Sequence, residues 1–216
     1  MRVPMKILNL ASRFAPALLC FASPDERRNR VALTFDDGPH PEHTPRVLDI
    51  LRDAGVRATF FFQGSNAAQW PALVRRAHAE GHQIAAHGID HVAASKQRNG
   101  DAADNAIQCH ALLCEISGAH LPRYYRPPYG DITFHALRLL GRRGYRLAFW
   151  SYDSNDSFVS NAGEIESRIA SATPDPGSIV LFHDDYAHTV DALPRVLDTM
   201  RARGLSFVTV AELCDA

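Results

Sequence analysis

From residue 31 onward the chain alternates between two kinds of hydrophobic pattern, and this constrains its fold more than any other feature. Short apolar runs lie at 31–35, 58–62, 83–86, 124–125, 145–150, 178–182 and 206–210. Between them, 3.6-residue periodicity predicts helices near 45–54, 71–80, 101–117, 134–143, 162–171 and 190–203. Strand–helix alternation of this regularity predicts an α/β chain with a mostly parallel sheet or barrel. About seven units fit, one short of the eight-fold barrel. Thr44-Pro45 reads as an N-cap with proline at the first helical position. Gly55 and Gly81 read as helix stops, and Thr189 as the cap of the last long helix.

No linker, low-complexity run or internal repeat divides the chain. It reads as a single domain preceded by a short extension, residues 1–28. With 46% hydrophobic residues, it can bury a core without staples. The four cysteines form no Cys-x-x-Cys pair, so buried free thiols are expected rather than a disulfide framework or structural zinc site. Acidic and basic residues nearly balance (24 against 23), which gives no reason to expect a nucleic-acid partner. Arg2 and Lys6 precede an apolar stretch at 15–22, which imitates a signal peptide. Arg13 and Pro16 interrupt it, and the alternative is an amphipathic segment packed on the domain. No later segment is apolar enough to span a bilayer. The expected location is cytoplasmic, with export to periplasm or exterior, or peripheral membrane association, as alternatives. Nothing sets the oligomeric state.

Parallel α/β folds place their chemistry at the C-terminal ends of strands. Five polar segments fall there. Thr34-Phe35-Asp36-Asp37-Gly38-Pro39 sets two adjacent carboxylates after a strand, where an extended backbone would aim them to opposite sides. His87-Gly88-Ile89-Asp90-His91 spaces two imidazoles at i and i+4, which suits one cation if the segment is helical. Arg126-Pro127-Pro128-Tyr129-Gly130 is a stiff loop that can hold an arginine and a backbone N–H in place. Asp153-Ser154-Asn155-Asp156 is an acidic loop, and the apolar run 179–182 ends in His183. Taken singly, each has a plain alternative: a turn, a solvated histidine pair among 11 histidines, a proline-rich bend, an acidic loop, a histidine at the core's edge. Taken together on one rim, they supply three metal ligands, a base and an acid, the parts of metal-assisted hydrolysis.

These segments, in this order, resemble the polysaccharide deacetylases of carbohydrate esterase family 4, over about residues 29–213. The resemblance implies a distorted (β/α)7 barrel and hydrolysis of the N-acetyl group of an amino sugar in an oligosaccharide or glycan, releasing acetate. It implies that Asp37, His87 and His91 hold a divalent ion, most often Zn2+ and sometimes Co2+ or another first-row ion. Asp36 would be the general base, oriented by Arg126. The backbone N–H of Tyr129 would bind the oxyanion, and His183, tuned by Asp156, would protonate the leaving amine. Leu181 would help receive the acetyl methyl group, with Pro128 and Tyr129 beside the substrate.

Two positions depart from the family pattern. Gly88 stands where a Ser or Thr hydroxyl braces the loop, which predicts weaker metal binding. Ser157 stands where a Trp walls the site, which predicts a more open or differently lined pocket. An alternative substrate is a lipid-linked sugar carrying formyl or acetyl, or a non-carbohydrate amide. A non-enzymatic glycan or metal binder is a third reading. Asp185, Tyr186 and His188 follow His183 and read as a solvated loop.

Overall fold

The computed structural model describes residues 3–4, 6, 19–20, 29–98 and 101–214. The reading of residues 15–22 as a leader therefore lies largely outside the described residues. The strands are β1 (Leu19–Cys20), β2 (Arg30–Asp36), β3 (Thr59–Phe62), β4 (Gln83–Ala86), β5 (Tyr124–Tyr125), β6 (Arg146–Ala148), β7 (Tyr152–Asp153), β8 (Ile179–His183) and β9 (Ser206–Val208). The helices are α1 (His43–Ala54), α2 (Gly64–Gln69), α3 (Pro71–Ala79), α4 (Asp101–Ser117), α5 (Phe134–Arg142), α6 (Ala162–Ser171), α7 (Ala187–Ala202) and α8 (Val210–Cys214).

The sheet runs β1-β6-β5-β4-β3-β2-β8-β7, with β9 also on β2, and every ladder is parallel. The apolar run 145–150 is only partly strand. It holds β6, which lies on β5, while β7 follows it and lies on β8, so residues 146–153 link the β5 side of the sheet to the β8 side. β1, inside the stretch read as an extension, pairs with β6.

Strand periodicity sorts side chains into two layers. From β2, Val31, Leu33 and Phe35 pack outward against the helices, where Phe35 stacks on Phe60 at 5.1 Å and Phe182 at 5.8 Å. Ala32 faces inward with Phe61, Ala85, Tyr124, Ala148 and Ile179. Both faces of β2 are buried, as expected of a parallel strand covered by helices. At the strands' N-terminal end, α8 closes the interior. Val210 and Leu213 join the inner layer, Val210 N–H donates to Thr59 Oγ1 at 2.9 Å, and Ala211 N–H donates to Gln83 Oε1 at 2.8 Å. These contacts account for two polar residues in otherwise apolar strands.

Three local expectations need correction. Thr44 does not cap α1, whose N-cap is Glu42; its hydroxyl donates to Asp184 and accepts from His40 N–H. Thr189 does not cap α7, whose N-cap is Tyr186; its hydroxyl donates to Asp156 Oδ2 at 2.9 Å. In both cases a partner distant in sequence takes the hydroxyl. Cys109 and Cys114 are free thiols, but Cys214 is disulfide-bonded. Local spacing does not register a bond that the tertiary fold creates. Gly55 does stop α1 in the left-handed region, at φ 63.

Candidate active site

The five segments meet at one end of the sheet because the ladders run to the same rim. Asp36 pairs with His183 on β8, Arg126 N–H donates to Ala86 O, and His87 N–H donates to Phe62 O. Asp36 shares the inner face with Ala32 and Thr34 by the two-residue period.

Asp37 behaves differently from the extended reading. Its φ is 74, so the chain turns and both carboxylates face the same site. His87 Nε2 lies 3.9 Å from Asp36 Oδ2 and 3.4 Å from Asp37 Oδ1, and His91 Nε2 lies 3.2 Å from Asp37 Oδ1. The His87–His91 segment is also not helical. Gly88, at φ 90, folds it so that the two rings sit 5.2 Å apart. Of the four non-glycine residues with positive φ among the described residues, Asp37, Tyr129 and Asn155 belong to the five segments. Such backbone costs about 1–3 kcal/mol and gathers where function requires it.

The ligand atoms of Asp37, His87 and His91 all lie within 4.8 Å of one another. One carboxylate and two imidazoles suit a first-row divalent ion. His87 Nδ1 is 2.8 Å from Arg126 O, which leaves Nε2 facing the cluster, the orientation a metal-ligating histidine needs. Burial would raise the Asp37 carboxyl, but His87, His91 and His183 outweigh it and hold it well below the usual carboxylate range.

Arg126 is fully buried. Its Nη1 donates to Asp36 Oδ1 at 2.7 Å and Thr34 Oγ1 at 2.8 Å, its Nε to Ala148 O at 3.1 Å and its Nη2 to Phe149 O at 3.0 Å. Its guanidinium carbon stands 4.1 Å from the Phe61 ring centroid. On the opposite side, His183 Nδ1 is 2.8 Å from Asp156 Oδ1, and His183 N–H donates to Asp156 Oδ2 at 2.7 Å. Burial disfavours the imidazolium, yet the Asp156 hydrogen bond and charge, with Asp36 and Asp37, raise His183 to about 9. Residues 186–188 are not a solvated loop. His188 Nε2 sits 2.8 Å from Asp156 O, and the Tyr186 ring lies between His183 and His188.

The Tyr129 ring is 4.4 Å from that of His91 and largely exposed, while Pro128 and Leu181 are buried. Beside the Ser157 departure, Phe158 is 81% exposed.

The Gly88 departure has a local counterpart. Asn105 Oδ1, from α4, accepts from Ile89 N–H at 2.8 Å, and a Cβ on Gly88 would lie 2.7 Å from that oxygen. A side-chain amide thus occupies the place of a side chain at 88. Gly88→Ser is therefore expected to destabilise the fold by about 1–3 kcal/mol, through strain at positive φ and displacement of Asn105, rather than to strengthen metal binding. Thermal unfolding and zinc titration of that variant check it; tighter binding at unchanged stability would contradict it.

A rim that combines a carboxylate–imidazole triad, an arginine-held carboxylate and a carboxylate-held histidine has the composition of a metal-assisted hydrolase centre. The chain belongs to the polysaccharide deacetylase family, whose pattern matches residues 23–148. It is 34% identical over 218 residues to the peptidoglycan-N-acetylglucosamine deacetylase PgdA of Listeria monocytogenes, covering 98% of this chain and 46% of that protein. It therefore spans about half the length of that relative. It is 34% identical over 197 residues to a chitooligosaccharide deacetylase of Bradyrhizobium sp., covering 85% of this chain and 90% of the relative. The fold matches the crystal structure of the Bc1960 peptidoglycan N-acetylglucosamine deacetylase with TM-score 0.88 and 31% identity, over 98% of this chain and 96% of that one. The chitin deacetylase of Colletotrichum lindemuthianum matches with TM-score 0.82 and 29% identity, over 91% of each chain.

Sequence pattern does not single out Gln63, Asn66 or Asn105, or the contacts of Thr34 and Thr189. Each acts through a tertiary contact that leaves no mark in local spacing.

Proposed function

We propose that this protein is a metal-dependent deacetylase that hydrolyses the N-acetyl amide of an amino sugar within a glycan of the N-acetylglucosamine type. The observation that carries this reading is the meeting of Asp37, His87 and His91, ligand atoms within 4.8 Å, between Asp36 and His183. A divalent ion at that triad, zinc before cobalt, supplies Lewis-acid polarisation of the amide carbonyl and acidifies water. Asp36, held by Arg126, accepts the proton of the attacking water. The backbone N–H of Tyr129 donates to the developing oxyanion. His183, kept protonated by Asp156, delivers a proton to the leaving nitrogen so that the C–N bond breaks to a neutral amine. Leu181 helps receive the acetyl methyl group, with Pro128 and Tyr129 beside the substrate. Amide plus water gives acetate, the free amine and one proton, and the proton that Asp36 takes from water replaces the one that His183 gives up.

None of the described helices is long and apolar enough to cross a membrane. The disulfide at Cys214 favours an oxidising compartment, and two of the relatives cited are named for a cell-wall glycan. An extracytoplasmic location fits both better than the cytoplasmic one first expected.

Acetate release measured on chitooligosaccharide and on peptidoglycan glycan strands tests the substrate class; release from at least one is expected. Release from neither, with a formylated or non-sugar amide cleaved instead, would overturn it.

Asp156→Asn removes the charge that holds His183 protonated. A histidine raised in this way is competent below its folded pKa and lost as pH rises through it. The alkaline limb of kcat/KM is therefore expected to move to lower pH in Asp156→Asn. An unmoved limb would mean that His183 is not the acid.

A further inference from the structure

Gln63 lies between β3 and α2, and its side-chain Nε2 donates to Asp37 Oδ1 at 2.8 Å. That oxygen is the one facing His87 Nε2 and His91 Nε2. Neighbouring groups hold the same turn. Gln63 N–H donates to Gly38 O at 2.9 Å, and Asn66 Nδ2 donates to Asp37 O at 2.8 Å. Asp37 is thus gripped at its carboxylate, at its own carbonyl and at the next one. A residue at φ 74 persists only where its surroundings over-determine it, and residues 63–66 do so here.

The same stretch reaches the histidine loop. Gly64 N–H donates to Gly88 O at 2.8 Å and Ser65 N–H to Ile89 O at 3.0 Å. A Cβ on Gly64 would lie 2.6 Å from Ile89 Cδ1 and 3.2 Å from Ile89 Cα, so the two loops approach closely here. One short segment therefore ties together the two loops that carry the triad. Within it, Gln63 alone places a side chain on a ligand atom.

We propose that Gln63 is a positioning residue that sets the affinity and coordination geometry of the divalent-cation site by fixing the Asp37 carboxylate. This rests on the metal reading above. A free carboxylate can rotate, exchange its oxygens or bind a cation through both. A fixed amide donor selects one rotation, and partners of this kind are typically worth about 10–100-fold in metal affinity. Glutamine does so without charge, whereas a cationic donor would repel the ion.

The test uses the metal-free protein. Zinc affinity is measured by competition with a chromophoric chelator, geometry by the visible spectrum of the cobalt-loaded form, and stability by thermal unfolding without metal. The variants are Gln63→Leu and Gln63→Met, both lacking the donor, with Gln69→Leu as control. The exposed Gln69 amide donates to Ser65 O at 3.3 Å within the same helix. Zinc Kd is expected to rise about 10–100-fold in both Gln63 variants, with an altered cobalt spectrum, and to stay at the wild-type value in Gln69→Leu. Unchanged affinity and spectrum in the Gln63 variants would overturn the proposal, as would an equal loss in Gln69→Leu. Wild-type protein that takes up no more zinc than Asp37→Ala would overturn the metal reading beneath it, a result the Gln63 variants cannot mimic.

Discussion

Asp36→Asn is expected to keep its metal and lose turnover by about 10²–10⁴-fold, the usual worth of a positioned general base. The exchange preserves shape, and the amide oxygen can still accept from Arg126 Nη1 and so keep the side chain oriented. It removes the lone pair that would take the proton of water. Asp37, His87 and His91 are untouched, so zinc content should match wild type. Metal analysis and steady-state kinetics on one sample separate the two effects. Near-normal turnover would assign the base to another group.

The largest stability effect is expected at Arg126. It is fully buried, and its four hydrogen bonds join Asp36, Thr34, Ala148 O and Phe149 O. Arg126→Met leaves the Asp36 charge buried without its partner, which costs about 3–5 kcal/mol. Arg126→Lys should recover little, because one ammonium cannot reach four acceptors spread around a planar fork. Removing both charges, as in Arg126→Met with Asp36→Leu, should restore most of the stability and none of the activity, since a buried pair exchanged for apolar groups is often neutral. Denaturant unfolding of the single and double variants checks this. A double variant as unstable as Arg126→Met alone would mean that Arg126 acts through packing against Phe61 rather than through charge.

The architecture was legible in the sequence wherever periodicity had room to show. Helices α4 and α6 have the predicted bounds, as do strands β4 and β5. Helices α2 and α8, at six and five residues, are too short to display a 3.6-residue period and were missed. The candidate site residues stood out because each followed an apolar run, and a parallel sheet gathers such ends on one rim. The local geometry assumed for them was less successful. Asp37 is left-handed rather than extended, and Gly88 folds a loop where a helical turn was drawn. What supports them was not legible. Gln63 reaches Asp37 across 26 positions, Thr189 reaches Asp156 across 33, and Asn105 reaches Ile89 across 16. The fold creates these hydrogen bonds, and no spacing rule anticipates them.

Hydrolysis of the N-acetyl amide of an amino sugar at the Asp37–His87–His91 triad, loaded with a divalent ion, can be followed as acetate release from a chitooligosaccharide, with protein as purified, after chelator treatment, and after zinc or cobalt is restored. Release should disappear on chelation and return with metal, and should never return in Asp37→Ala. Release that survives complete metal removal, or that Asp37→Ala retains, would contradict metal-dependent hydrolysis at the triad.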